Sequence, residues 1–277
     1  MPSPSARCRK VSFRVMGCEF LKGKGFVWLL AALSLGLSLG CARSPEGRVS
    51  AGELFVLGRE DLRERNYAKA REAFQKLLQE YPDSKLRAEA LLNLADAYYK
   101  EEGYEESKFH YKKFVDFYPV HTKTPHALYY LGMSDYKRVR AYDQDPQFAR
   151  DALESFQKLK RSFPNHKFVK EAEEKIRKLR RHLARHDLYI ARFYYGQGLY
   201  VSAIPRLREY LAEYEDVNEE RDYALFILGE SLMAEESHEK AEKAYRRLVK
   251  EFPKSSYARR ARRRLSDLKA LGHWIRE

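Results

Sequence analysis

Tyr67 to Pro82, YAKAREAFQKLLQEYP, carries a skeleton that the chain repeats: an aromatic residue, alanine three later, a second aromatic seven later and proline fifteen later. The skeleton returns as Tyr104, Ser107, Tyr111, Pro119, as Ala149, Ala152, Phe156, Pro164, and as His238, Ala241, Tyr245, Pro253. A looser copy runs Tyr200, Ala203, Leu207, with Glu215 where the proline would stand. Ahead of the copies, at fixed distance, stands a trio ending in a small residue: Leu54, Leu57, Gly58; Leu91, Leu94, Ala95; Asp187, Ile190, Ala191; Leu225, Leu228, Gly229. Before the third copy the trio Leu128, Leu131, Gly132 comes about eight residues early, which places an insertion there.

Apolar residues three and four apart make a stripe along one helix face. Glycine or alanine in that stripe lets a second helix approach closely, and the proline ends the second helix. This is the pattern of the tetratricopeptide repeat, L-x2-L-G, A-x3-F, P. A single hairpin of this kind cannot bury its apolar face, so the units must stack. The expected fold is all-α: a right-handed superhelix of five helix hairpins with a long central helix and a C-terminal capping helix. A composition of 44% hydrophobic and 34% charged residues, with little glycine or proline, suits such a fold. Nothing in the chain reads as a sheet.

The cysteines, Cys8, Cys18 and Cys41, all precede the repeats, so the repeats hold neither a disulfide framework nor a thiol catalyst. Residues 1–40 combine six basic residues with the apolar run Phe26 to Gly40 and read as a signal peptide, more ordinary if translation starts at Met16. Fifteen residues are short for a membrane span. Leu37-Ser38-Leu39-Gly40-Cys41 resembles a bacterial lipobox, with Cys41 as the lipidated residue that becomes the N-terminus. Leucine usually stands where Ser38 is; Ala42, rather than aspartate, resembles the sorting signal for the outer membrane. Ordinary signal-peptidase cleavage and a retained anchor are the other readings. Residues 41–49 form a tether, 50–166 an N-terminal half of three repeats, and 167–277 the long helix, two further repeats and the cap.

Start signals punctuate the repeats. Ser50 and Glu53 form a capping box, Asn66 and Ser84 are cap residues for the second and third helices, and Thr124-Pro125 and Asp145-Pro146 place proline at a first helical position. Residues 140–144 form the inserted loop. After Pro164 no glycine occurs until Gly196 and no proline until Pro205, which predicts one helix of about thirty residues, roughly 45 Å long. Pro205 is comfortable only if the next helix starts near Ser202. The capping helix is expected from about Ser256 to Leu271.

Charge is uneven. Residues 240–277 hold 13 Lys and Arg against 4 Asp and Glu, a net of +9 out of +13 for the whole chain, and include Arg259, Arg260, Arg262, Arg263 and Arg264. A solvated capping helix is the plain reading; an acidic partner or anionic lipid head groups are the functional ones. Nucleic acid is not expected, because a secreted lipoprotein does not meet it.

Catalytic readings find little support. His182 and His186 lie one helical turn apart but have no third ligand nearby, nor the glutamate of an H-E-x-x-H motif. There is no glycine-rich phosphate loop and no nucleophile elbow. The pairs Glu101, Glu102 and Glu219, Glu220 sit at loop edges. No enzyme activity and no cofactor are expected.

Three stretches carry a more specific likeness: YPVHTKTPHALYYLG with Pro119, His121 and Gly132, DPQFARDALESFQKLKRSFPN from Asp145, and HDLYIARFYY from His186. Together with the lipobox they resemble the BamD (ComL) family, tetratricopeptide lipoproteins of the outer-membrane β-barrel assembly (BAM) complex. The loop before Asp145 is shorter than in the proteobacterial type, and the Arg-rich end is foreign to the pattern. The resemblance implies a lipid-anchored scaffold on the periplasmic face of the outer membrane. Its implied partners are the barrel protein BamA, held by the C-terminal repeats, other BAM lipoproteins, and unfolded outer-membrane proteins received by the N-terminal repeats. Arg206 matches a family arginine that pairs with an acidic BamA residue, with Pro205 beside it as a departure. Substrate-groove candidates are Tyr98, Tyr99, Tyr129 and Tyr136, although aromatic stripes in such repeats are usually core. The alternatives are another periplasmic adaptor of the same fold, coordinating cell-wall or envelope proteins, and a repeat-bearing peptidoglycan hydrolase, against which the missing catalytic domain argues.

Overall fold

The computed structural model describes residues 48–274. The signal peptide, Cys41 and most of the tether lie outside the described residues. Eleven helices and no strand occur among those that are described. They pair as hairpins: α1 (Ala51–Arg63) with α2 (Tyr67–Glu80), α3 (Arg87–Lys100) with α4 (Tyr104–Phe117), and α5 (Thr124–Tyr136) with α6 (Gln147–Ser162). There follow α7 (Val169–Gly196) with α8 (Tyr200–Glu213), α9 (Arg221–Ala234) with α10 (His238–Glu251), and the cap α11 (Ser256–Trp274). Each helix packs on the next, and α11 packs on both α10 and α9. The fold is all-helical and tetratricopeptide-like, as the repeat skeleton predicts.

One contact recurs in the three hairpins whose small residue is glycine, and it explains the spacing. The small residue of the first helix lies under the second aromatic position of the following one, sixteen residues on: Gly58 under Phe74, Gly229 under Tyr245. A methyl group at Gly229 would stand 2.3 Å from Tyr245 Cε1, and one at Gly58 2.7 Å from Phe74 Cε1. In the third hairpin Gly132 meets Phe156 at 2.9 Å, twenty-four residues on. The eight extra residues are the inserted loop. Where the ring is tyrosine, its hydroxyl reaches the acid next to the small residue: Tyr111 donates to Asp96 and Tyr245 to Glu230, each at 2.5 Å.

The buried core runs unbroken from α3 to α11, and a second cluster joins the first hairpin to the opposite side of α3. Leu57 is half exposed at 49%, whereas Leu94 and Leu228, in the same register, are buried. At the other end, Glu230 ties the cap down: Arg264 donates Nε to Oε1 at 2.8 Å and Nη2 to Oε2 at 2.7 Å.

Several local expectations need correction. The capping box of Ser50 and Glu53 is present, but Asn66 spends its amide on Asp61 and Glu64 and makes no side-chain cap. Ser84 Oγ accepts from Leu86, ahead of the helix. Thr124, rather than Pro125, is the first residue of α5, and its hydroxyl donates to the Tyr118 carbonyl at 2.6 Å. Pro146 precedes α6, and Asp145 accepts from Gln147 N–H. The central helix has 28 residues. Helix α8 begins at Tyr200, not near Ser202, so Pro205 lies inside it. The missing N–H deprives the Val201 carbonyl of its helical donor; Val201 is 71% exposed, so that defect faces water.

Candidate protein-binding surfaces

Arg206 stands mid-helix and half-buried, not free at a helix start as its sequence position suggested. Its guanidinium lies over the ring of Tyr194, 4.1 Å from the centroid, and Nη1 donates to the Ser202 carbonyl at 2.8 Å. Tyr194 comes from α7, three residues past Ala191, so the hairpin contact places the ring beside α8. The furrow around Arg206 is lined by Arg150, Asp187, Ile190, Glu209 and Tyr210. Asp187, the acid facing it, already accepts from the Tyr214 hydroxyl at 2.6 Å and lies 3.9 Å from Arg150. Among the described residues no carboxylate pairs with Arg206. A cation held over a ring with most of its donor fork unspent is able to donate to a further acceptor, a carboxylate among them.

The four groove candidates separate. Tyr129 is buried, 4% exposed, and stacks on Phe168 at 4.5 Å; it is core. Its register matches Leu92 and Phe226, also buried. Tyr98, Tyr99 and Tyr136 are half-buried. Tyr98 lies between His110, stacked at 5.2 Å, and Arg71, 4.9 Å from its centroid. Tyr99 meets Tyr104 and Tyr130 edge-on, and burial with those phenols raises its hydroxyl to about 12. Tyr136 carries Lys175 over its ring at 4.8 Å. The structure therefore joins Tyr99 to an aromatic cluster that sequence reading missed, through Tyr130 to His126 at 4.6 Å and Phe168 at 6.1 Å. The doublet Tyr129-Tyr130 was visible; only the register of Gly132 tells which ring faces in.

The arginine cluster of α11 also divides. Arg264 is bound to Glu230, Arg262 donates to the Pro253 carbonyl at 3.1 Å, and Arg260 lies over Phe226 at 4.2 Å. Arg259 and Arg263, one turn apart, point into solvent. Glu101 pairs with Arg71 and Glu219 with Arg181. His186 places Nδ1 2.6 Å from the Tyr142 carbonyl, tying the inserted loop to α7. Burial holds the neighbouring His182 below the usual imidazole range, with the charges of His186 and Arg185 adding to the effect. Arg221 is 3% exposed and donates to the Leu211 and Tyr214 carbonyls, capping the end of α8 from α9.

A buried carboxylate, Asp135, and a half-buried one, Glu230, sit in opposite electrostatic settings. Burial raises Asp135, and Lys108, at 2.8 Å, offsets this only in part because it is shared with Asp151 at 2.7 Å. Burial also acts on Glu230, but the hydrogen bonds from Arg264 and Tyr245 prevail and hold it below the usual carboxylate range.

A sequence profile described as "YfiO: Outer membrane lipoprotein" matches residues 48–245. Proteins named "Outer membrane protein assembly factor BamD" are similar along most of their length. That of Neisseria meningitidis serogroup A is 26% identical over 249 residues, covering 83% of this chain and 92% of its own. That of Rickettsia prowazekii is 27% identical over 233 residues, with the same coverage. That of Vibrio cholerae is 27% identical over 205 residues, covering 70% of this chain and 85% of its own. Among the described residues no helix is long and apolar enough to cross a membrane.

Proposed function

The chain belongs to the family of the outer membrane lipoprotein YfiO, and on that premise we propose that it is a non-catalytic scaffold of the outer-membrane β-barrel assembly complex. Lipidation at Cys41 tethers it to the periplasmic face of the outer membrane, the acyl chains contributing about 0.8 kcal/mol per buried CH₂. The C-terminal repeats hold a BamA-like barrel protein, with Arg206 receiving an acidic side chain of that partner. The N-terminal repeats receive unfolded outer-membrane proteins, with Tyr98, Tyr99 and Tyr136 as aromatic contacts.

The observation that carries this reading is the profile match across the helical repeats, and the relatives' shared name, assembly factor, supports it. The geometry adds a half-buried arginine that lies over Tyr194 and has no carboxylate partner among the described residues. Depleting the protein should lower the amount of heat-modifiable, folded β-barrel protein in the outer membrane. Unchanged barrel levels after depletion would remove assembly from its function.

A further inference from the structure

Successive second helices of the stack leave a furrow floored by the first helix beneath them. The furrow between α4 and α6 is floored by Leu128, Leu131 and Asp135 of α5, and that between α8 and α10 by Leu225, Leu228 and Leu232 of α9. Counted from Gly132 and Gly229, these are the same three positions. The walls correspond as well: Asp151, Glu154 and Lys158 of α6 stand where α10 has Lys240, Lys243 and Arg247. In the earlier furrow the charges neutralise one another, Lys108 bridging Asp135 and Asp151. In the later one the buried acid is a leucine, both acidic wall positions are lysines, and Arg208 faces them from α8.

Among the described residues no carboxylate lines this last furrow, an opening of about 260 Å³. Lys243 and Arg247 hold Glu239 and Glu251 on their own helix, each at 2.6 Å. Such surface pairs one turn apart contribute only about 0.3–0.5 kcal/mol and yield to a better partner. Arg208 and Lys240 have no carboxylate partner among the described residues. The helices forming the walls have 14 residues each, roughly 21 Å, a length suited to a few turns of helix or a short extended segment. Four cations around a leucine floor select both the charge and the shape of what lies between them.

We propose that the furrow between α8 and α10 docks an acidic segment of a partner protein, one that sets a leucine-sized side chain between flanking carboxylates. The test titrates the detergent-solubilised full-length protein into three labelled synthetic helical peptides and reads fluorescence anisotropy. One carries leucine flanked by glutamate, one has lysine for glutamate, and one has serine for leucine. The first should bind at least tenfold more tightly than the others. The double variant Arg208→Glu with Lys240→Glu should weaken it at least tenfold, whereas Arg259→Glu with Arg263→Glu should leave it unchanged. Both altered pairs are exposed, and a thermal melt checks their folding; Lys240→Ala alone serves if the double variant is unstable. Absence of binding, equal binding of the serine peptide, or indifference to the Arg208 and Lys240 changes would overturn the proposal. So would vesicles of anionic phospholipid binding through these residues while the peptide does not, since the surface would then read lipid. No barrel protein enters the assay, so a negative result leaves the assembly role standing.

Discussion

Arg206 of α8 lies over the ring of Tyr194 of α7, with 4.1 Å between guanidinium carbon and ring centroid. The stack fixes the direction of a long, flexible cation before any partner arrives, and that lowers the entropy lost on pairing. Of the two acids lining the furrow around it, Asp187 and Glu209, Asp187 is already engaged by Tyr214.

Tyr194→Ala should therefore weaken association with the barrel protein several-fold, and, because the ring is half-buried against the core, should also lower the melting temperature. A cation over a ring near the protein surface contributes about 0.5–1 kcal/mol. Titration of purified partner against wild type and variant measures it. Equal affinities would show that the ring does not orient Arg206.

Two glycine substitutions should move stability in opposite directions. Gly229→Ala places a methyl 2.3 Å from Tyr245, and overpacking at such a contact costs about 1–3 kcal/mol. Gly196, at the end of α7, has nothing within 4 Å of the same methyl. Gly196→Ala should gain up to about 1 kcal/mol from helix propensity. Urea unfolding of the two variants reads both signs.

The carboxylates Glu230 and Asp135 should respond oppositely to acid. Glu230 sits below its unfolded value, so its stabilisation is fully present above the ordinary carboxylate range and disappears as pH falls through its depressed folded value. The stability difference between wild type and Glu230→Gln should be largest at pH 7 and close on acidification. Asp135 sits above its unfolded value, so wild type should gain on Asp135→Asn as pH falls. Unfolding free energies measured between pH 7 and 3 decide both, and parallel curves would mean that neither group is perturbed.

Cys41→Ser should release the protein from membranes into the soluble periplasmic fraction or leave an uncleaved precursor. Membrane fractionation with intact-mass measurement distinguishes these from the wild type. An unaltered mass and membrane content in the variant would place the anchor elsewhere.

Much of the fold was legible because its determinants are local and periodic. The sixteen-residue step from Gly58 to Phe74 and from Gly229 to Tyr245 is a property of hairpin length, and the displaced Gly132 announced the inserted loop. Side-chain direction was less legible. Tyr129 and Tyr130 are chemically alike, and the register set by Gly132 turns Tyr129 onto Phe156 in the core and leaves Tyr130 half-buried. Arg259 to Arg264 looked like one basic cluster, yet a helix distributes consecutive residues around its axis, so Arg264 finds Glu230 and Arg259 finds water. Pro205 misled the start of α8, because hairpin packing outweighed the local cost of one lost hydrogen bond on the exposed side. The all-cation furrow was invisible to spacing, since Arg208, Leu228 and Lys240 meet only when two hairpins stack.

The most direct measurement is affinity purification of the tagged protein from mildly solubilised membranes, performed in parallel with wild type and Arg206→Glu. Wild type should bring down a stoichiometric outer-membrane barrel protein, and the variant should lose it. Wild-type protein that brings down no barrel protein would contradict it.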